Sequence, residues 1–157
     1  MELEKEILTH AARVGNVDVL QELIDRGTDL NQRDPKGYTP LILACYNGQL
    51  SAAKLLIANG ADIDAADFGG NTALMGAAFK GYLEIAEMLI EGGASLDLQH
   101  GNGGTALMFA AMFGRNDMVR LLIDRGADRS IRDARGLSSI ELAAQQGNEV
   151  AIQLLQA

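Results

Sequence analysis

The stretch DPKGYTPLILACYNGQLSAAKLLIANGADIDAA, residues 34–66, decides the architecture, because the chain says it again. Shifted by 33 residues it lies over DFGGNTALMGAAFKGYLEIAEMLIEGGASLDLQ (67–99), and shifted once more over HGNGGTALMFAAMFGRNDMVRLLIDRGADRSIR (100–132), with no insertion. Upstream, ILTHAARVGNVDVLQELIDRGTDLNQR (7–33) keeps the register, and DARGLSSIELAAQQGNEVAIQLLQA (133–157) carries it to the end. A period of this length marks stacked supersecondary units. The 157 residues therefore read as one domain of five units: 1–33, 34–66, 67–99, 100–132 and 133–157. The first and last are degraded, as expected of caps that face water on one side.

Glycine punctuates each unit. Gly37, Gly70, Gly103 and Gly136 precede a first helix by two residues. Gly15, Gly48, Gly81, Gly114 and Gly147 stand where that helix turns back, and Gly27, Gly60, Gly93 and Gly126 where the second helix stops. A residue without Cβ suits such left-handed positions. Thr39, Thr72 and Thr105 are placed to cap the first helix, with Pro40 at its first turn. The glycine-rich run QHGNGGTALMFAA (99–111) outlines a phosphate-binding loop, but such a loop occurs once and wants a lysine after its last glycine. Here the turn recurs, and Thr105 follows Gly104.

Each unit offers two apolar stripes at helical spacing, such as Leu41, Leu43 and Ala44, then Leu55, Leu56 and Ile57. Helices of fewer than ~12 residues do not persist alone in water, so only stacking makes them stable. The pairs Ala44–Cys45, Ala77–Ala78, Ala110–Ala111 and Ala143–Ala144 let neighbouring backbones come close. Cys45 belongs to that series and reads as a small buried thiol. At the ends, Leu3 and Ile7 are expected to turn inward, and the glutamines of the final helix to face water.

The composition excludes several classes. No apolar run approaches the ~20 residues of a membrane span. A single cysteine permits no internal disulfide and no cysteine-rich zinc site. A net charge of −8 argues against nucleic acid, which calls for a basic stripe. It is compatible with a basic protein partner and equally with ordinary solubility. MELEKEILTH is acidic and amphipathic, unlike a signal peptide, so a cytoplasmic protein is expected, or a periplasmic or secreted one if a leader preceded Met1. His10 and His100 lie three units apart, too far to share a metal at ~10 Å per stacking step. His100 reads as an exposed loop residue. No nucleophile–base pair, carboxylate pair or metal cage emerges, so no enzyme activity and no cofactor are expected.

The run GYTPLILACYNGQLSAAKLLIANGADIDAAD (37–67) resembles the ankyrin repeat: a turn, Thr-Pro-Leu, two antiparallel helices and a Gly-Ala-Asp loop. The likeness covers essentially the whole chain and is closest in the three middle units. It implies an all-α solenoid of L-shaped units, with hairpin turns projecting from a concave groove. In size the chain is similar to short stand-alone ankyrin proteins of bacterial type. One departure concerns the histidine that often follows Thr-Pro-Leu. Ile42, Met75, Met108 and Glu141 stand there, so its hydrogen bonds are expected to be missing.

The aromatic residues locate a candidate surface. Stacking turns residues 33 apart into ladders, and one of them reads Arg13, Tyr46, Phe79, Met112, Gln145. Its neighbour reads Val14, Asn47, Lys80, Phe113, Gln146. The resemblance assigns both to the groove, together with the turns that carry Pro35, Lys36, Tyr38, Phe68, Asn71, Asn102 and Arg135. Interface cores favour such mixtures of aromatics, Met and Arg. The partner-binding candidates are Lys36, Tyr38, Tyr46, Phe68, Asn71, Phe79, Lys80, Asn102, Met112 and Phe113. Tyr82 and Phe109 fall outside the set, Phe109 in a core register. Truncating Tyr46 or Phe79 is expected to cost the free protein about 1 kcal/mol or less. The bare turn around Gly101 and Gly104 is expected to leave room for a partner's backbone. The function expected is a non-catalytic protein–protein interaction module, monomeric when free. The alternative is an inhibitor or immunity-type protein that blocks a partner enzyme.

Overall fold

A computed structural model describes residues 2–157. Among them are ten helices in five antiparallel pairs: α1 Glu2–Val14 with α2 Val17–Asp25, α3 Pro40–Tyr46 with α4 Leu50–Ala58, α5 Ala73–Lys80 with α6 Leu83–Glu91, α7 Ala106–Met112 with α8 Asn116–Asp124, and α9 Ser139–Gln145 with α10 Glu149–Gln156. Extended pairing is confined to two isolated bridges, Ala66–Thr72 and Arg132–Ser138, at the bases of turns. No helix among the described residues is long and apolar enough to cross a membrane.

The helices begin where the sequence says they should. Thr39, Thr72 and Thr105 accept from the backbone N–H three residues on, and Pro40 takes the first helical position of α3. The glycines of all three series have φ between 67° and 98°. The expected loss of hydrogen bonds after Thr-Pro-Leu is only partial. Met75 Sδ accepts from Thr72 N–H at 3.5 Å, and Glu141 Oε1 accepts from both the N–H and the hydroxyl of Ser138. A thioether and a carboxylate each reach back over one turn, as the histidine would.

One core runs the length of the stack. Leu8, Leu20, Leu41, Leu56, Leu89, Leu107, Met118, Leu122 and Leu142 are almost wholly buried, with the alanine pairs between them. The N-terminal cap departs from expectation: Leu3 is 68% and Ile7 42% exposed. Leu8, Ala11 and Ala12 pack inward instead. Helical spacing puts Leu3, Ile7 and Val14 with His10 on the opposite, exposed side of the helix.

Polar clips hold each unit to the next. In the loops after the outer helices, Asn31 Oδ1 accepts from Asp62 N–H, Asp64 Oδ1 from Ser95 N–H and Asp97 Oδ1 from Asp128 N–H, at 2.8, 2.9 and 2.9 Å. These acceptors are 33 residues apart, so one contact recurs along the stack. In the projecting turns, Gly101 N–H donates to Gly69 C=O and Ala134 N–H to Asn102 C=O, both at 2.9 Å.

Candidate partner-binding groove

Curvature makes the groove. The inner helices α1, α3, α5, α7 and α9 pack more closely on one another than the outer helices do, so the stack bends around them. Its concave side is lined by inner helices and flanked by the turns.

Three rings from successive units meet there. Tyr46, the last residue of α3, stacks on Phe79 of α5 with centroids 6.2 Å apart and planes 6° from parallel. Phe79 in turn meets Phe113, the C-cap of α7, edge-on at 4.7 Å. Tyr46 and Phe113 remain 43% and 45% exposed. Lys80 places its ammonium 4.8 Å above the Tyr46 ring, a cation–π contact that lets a lysine stay over an apolar surface. Phe79 sits between the two outer rings and is half-buried, more enclosed than the sequence implied.

Two cavities flank these rings. The first, of about 330 Å³, lies between the second and third units and is lined by Tyr38, Ile42, Tyr46, Asn71, Met75, Gly76 and Phe79. The second, of about 440 Å³, lies between the fourth and fifth, with His100, Asn102, Met108, Met112, Arg135 and Leu142 on its walls. Phe109 borders both. The sequence had placed this ring in the core register, yet it is half-buried and serves as the partition.

The structure thus gathers Tyr38, Tyr46, Asn71 and Phe79 around one cavity, with Lys80 above Tyr46, and Asn102 and Met112 around the other. Phe113 packs on Phe79 at the rim. Lys36 and Phe68 lie outside both linings, on projecting turns. Phe68 is 74% exposed and covers Gly37, where a Cβ would come within 2.6 Å of its ring. Asn71 is partly committed to its own turn, since its amide donates to the Asp67 carboxylate at 3.2 and 3.3 Å.

The turn at 100–104 differs from the expectation of vacant space. His100 replaces the aspartates Asp34, Asp67 and Asp133, each of which accepts two backbone N–H groups from its own turn. Its Nδ1 accepts the Gly104 N–H at 2.9 Å, and its ring meets Phe109 edge-on at 5.1 Å. A Cβ on Gly104 would lie 2.8 Å from that ring. The side chain missing at 104 is therefore replaced by the imidazole, which is half-buried rather than exposed.

Gly76 was missed altogether. It lies inside α5, at the floor of the first cavity, in the ladder Leu43, Gly76, Phe109, Leu142. A glycine in mid-helix costs roughly 1 kcal/mol relative to alanine. The ladder itself would have revealed it, because its other members, His10 of the first unit included, all carry large side chains.

Few titratable groups are perturbed, and those that are lie outside the groove cavity between the second and third units. Among the described residues no three His, Cys, Asp or Glu side chains form a cluster able to hold a metal. Burial pushes the Cys45 thiol up to about 12, which leaves it protonated and inert. The lowered carboxyls belong to the last units. Asp128 is held down by the Ser130 hydroxyl, Asp133 chiefly by the Leu137 N–H, and Glu141 by the Ser138 hydroxyl.

Known families agree with this geometry. A family model for ankyrin repeats in three copies matches residues 8–100, and one for ankyrin repeats in many copies matches residues 89–143. No curated protein matches the chain. With five helix pairs, capping threonines and a recurring left-handed glycine, the chain belongs to the ankyrin repeat family, whose repeats are generally protein–protein interaction modules.

Proposed function

We propose that this protein is a non-catalytic recognition module that holds a partner protein in its concave groove. The observation that carries the reading is the row Tyr46–Phe79–Phe113, left half open to water beside a cavity of about 330 Å³. Aromatic surface at a groove centre is where interfaces concentrate their binding energy.

Phe68 favours a second reading. A ring 74% exposed at the tip of a projecting turn is shaped to enter a cleft in another protein. That geometry suits an inhibitor or immunity-type protein seated over an enzyme's active site.

Photo-cross-linking in extracts of the native host separates these readings. A photoreactive side chain replaces Tyr46, Phe113, Phe68 or, on the convex face, Glu84. Adducts from Tyr46 and Phe113 but not Glu84 are expected of the groove reading. A dominant adduct from Phe68 alone, with an enzyme whose activity falls on binding, selects the inhibitor. Equal adducts from Glu84 refute both.

A further inference from the structure

The cavity beside Phe79 exists because one side chain is absent. Gly76 has no positive φ, and a Cβ there would meet only Tyr46, at 3.5 Å, an ordinary contact. Neither backbone conformation nor crowding calls for glycine. Its ladder neighbours Leu43, Phe109 and Leu142 show what the position holds elsewhere. Since glycine weakens a helix interior, the feature it provides is the space itself.

Charge is sorted around that space. Most of the 21 acidic residues lie on the outer helices and the loops behind them, and α3, α5 and α7 contain none. Asp67 lines the cavity, but its carboxylate is taken up by its own turn, accepting two backbone N–H groups and the Asn71 amide, as Asp34 accepts two backbone N–H groups in the turn before. The cations are less committed. Arg13, Lys36 and Lys80 take part in no ion pair among the described residues. Arg13 occupies the ladder position next to Tyr46, and Lys80 lies over the Tyr46 ring. The chain is acidic as a whole, yet the carboxylate at this cavity is engaged by its own turn, while Lys80 over the lining Tyr46 ring and Lys36, two residues before the lining Tyr38, are held in no ion pair among the described residues.

We propose that the groove takes a short acidic segment of the partner protein, with one large apolar side chain seated over Gly76 and flanking carboxylates paired with Lys36, Lys80 and Arg13. The proposal rests on the groove-binding reading and reverses the basic partner that net charge alone would favour. Nucleic acid is the lesser fit. Three cations neutralise few phosphates, and the field of a −8 chain opposes the rest.

The test is selection from a displayed library of random short peptides on the intact protein, followed by affinity measurements on the enriched peptides. Enrichment of an aromatic or leucine flanked by Asp and Glu is expected. Gly76→Leu, which copies positions 43 and 142, should weaken those peptides about ten- to a hundredfold, the worth of burying one large side chain. Gly76→Ala is decisive where the larger variant folds poorly. It should raise the melting temperature by about 2–4 °C while lowering affinity, since alanine suits a helix better. A lower melting temperature, or unchanged affinity, overturns the role given to the glycine. Lys36→Glu with Lys80→Glu should reverse the charge preference of the enriched peptides. Selection of basic peptides, of none, or tighter binding of a labelled oligothymidylate refutes the acidic segment. Groove cross-links obtained without any enriched peptide would leave the recognition module standing and remove this proposal alone.

Discussion

Replacing Phe79 with alanine measures how far the groove is also structure. A phenylalanine buries at least about 150 Å² when fully enclosed. Half of that, at ~25 cal/mol per Å², gives about 2 kcal/mol, an upper value because the unfolded chain buries some of it already. Contact with the rings of Tyr46 and Phe113 adds about 0.5–1.5 kcal/mol for each good pair. Phe79→Ala should therefore cost at most about 3–5 kcal/mol, above the 1 kcal/mol or less expected of a ring projecting freely into the groove. Leu74, only 2% exposed, sets the scale of a core truncation at about 2–5 kcal/mol. Tyr46→Ala, which removes the more exposed ring, should cost about 1 kcal/mol. The double variant should fall short of additivity by about 0.5–1.5 kcal/mol, the value of the stack. Urea unfolding followed by far-UV circular dichroism is the assay, since the chain has no tryptophan. Additive effects of Tyr46→Ala and Phe79→Ala, with a cost for Phe79→Ala below 1 kcal/mol, would refute the ring stack.

Three further outcomes test other parts of the molecule. Asp128, Asp133 and Glu141 have carboxyls held below their ordinary values by hydrogen bonds, so their stabilisation is complete above the unfolded value of ~4 and is lost as pH falls through the folded ones. Hydrogen exchange at acid pH should open α9 and α10 before α3 and α5, and Asp133→Asn with Glu141→Gln should weaken that pH dependence; simultaneous opening along the chain contradicts it. Gly104→Ala should destabilise the wild type, because the new Cβ strikes the His100 ring, but should be tolerated in a His100→Asp background; equal cost in both backgrounds shows that the imidazole is not what fills the space. Cys45, with its thiol raised to about 12 and fully buried, should resist a thiol reagent at pH 8 until urea unfolds the protein, and rapid labelling of the native state would show the core to be open there.

The fold was legible because it is written five times. A threonine before α3, α5 and α7 and a glycine soon after each inner helix require only local chemistry, and local chemistry shows in single residues. What escaped depends on contacts between units. The clips from Asn31, Asp64 and Asp97 join residues 31 apart, and no local pattern distinguishes them from loop acids in water. Met75 does part of histidine's work through a weak acceptor that residue type alone does not advertise. His100 was misjudged because it fills space left by Gly104 in its own turn, and a missing side chain is visible only in three dimensions. Phe109 packs on the core as its register implies, but it also borders both cavities, which a register does not show. Gly76 was the exception. Its ladder was readable, but glycine was read as punctuation and so passed unnoticed inside a helix.

The recurring loop clips bear on how such a chain tolerates change in length. Each acceptor finds its donor one unit ahead, and the donor is always a backbone amide, which every residue but proline supplies. Excision of residues 67–99 would set Asp64 opposite Asp128 N–H, a pairing chemically equivalent to the one lost. A shortened protein should therefore fold as a four-unit stack, and a lengthened one grow by whole units, whereas loss of a few residues would break every contact downstream. Recognition has no such tolerance. The deleted unit would take Gly76, Phe79 and Lys80 with it, and no other unit carries that combination. The scaffold is interchangeable from unit to unit, while the proposed binding face is particular to one position, so on that proposal duplication and deletion vary what is recognised without renegotiating how the chain folds.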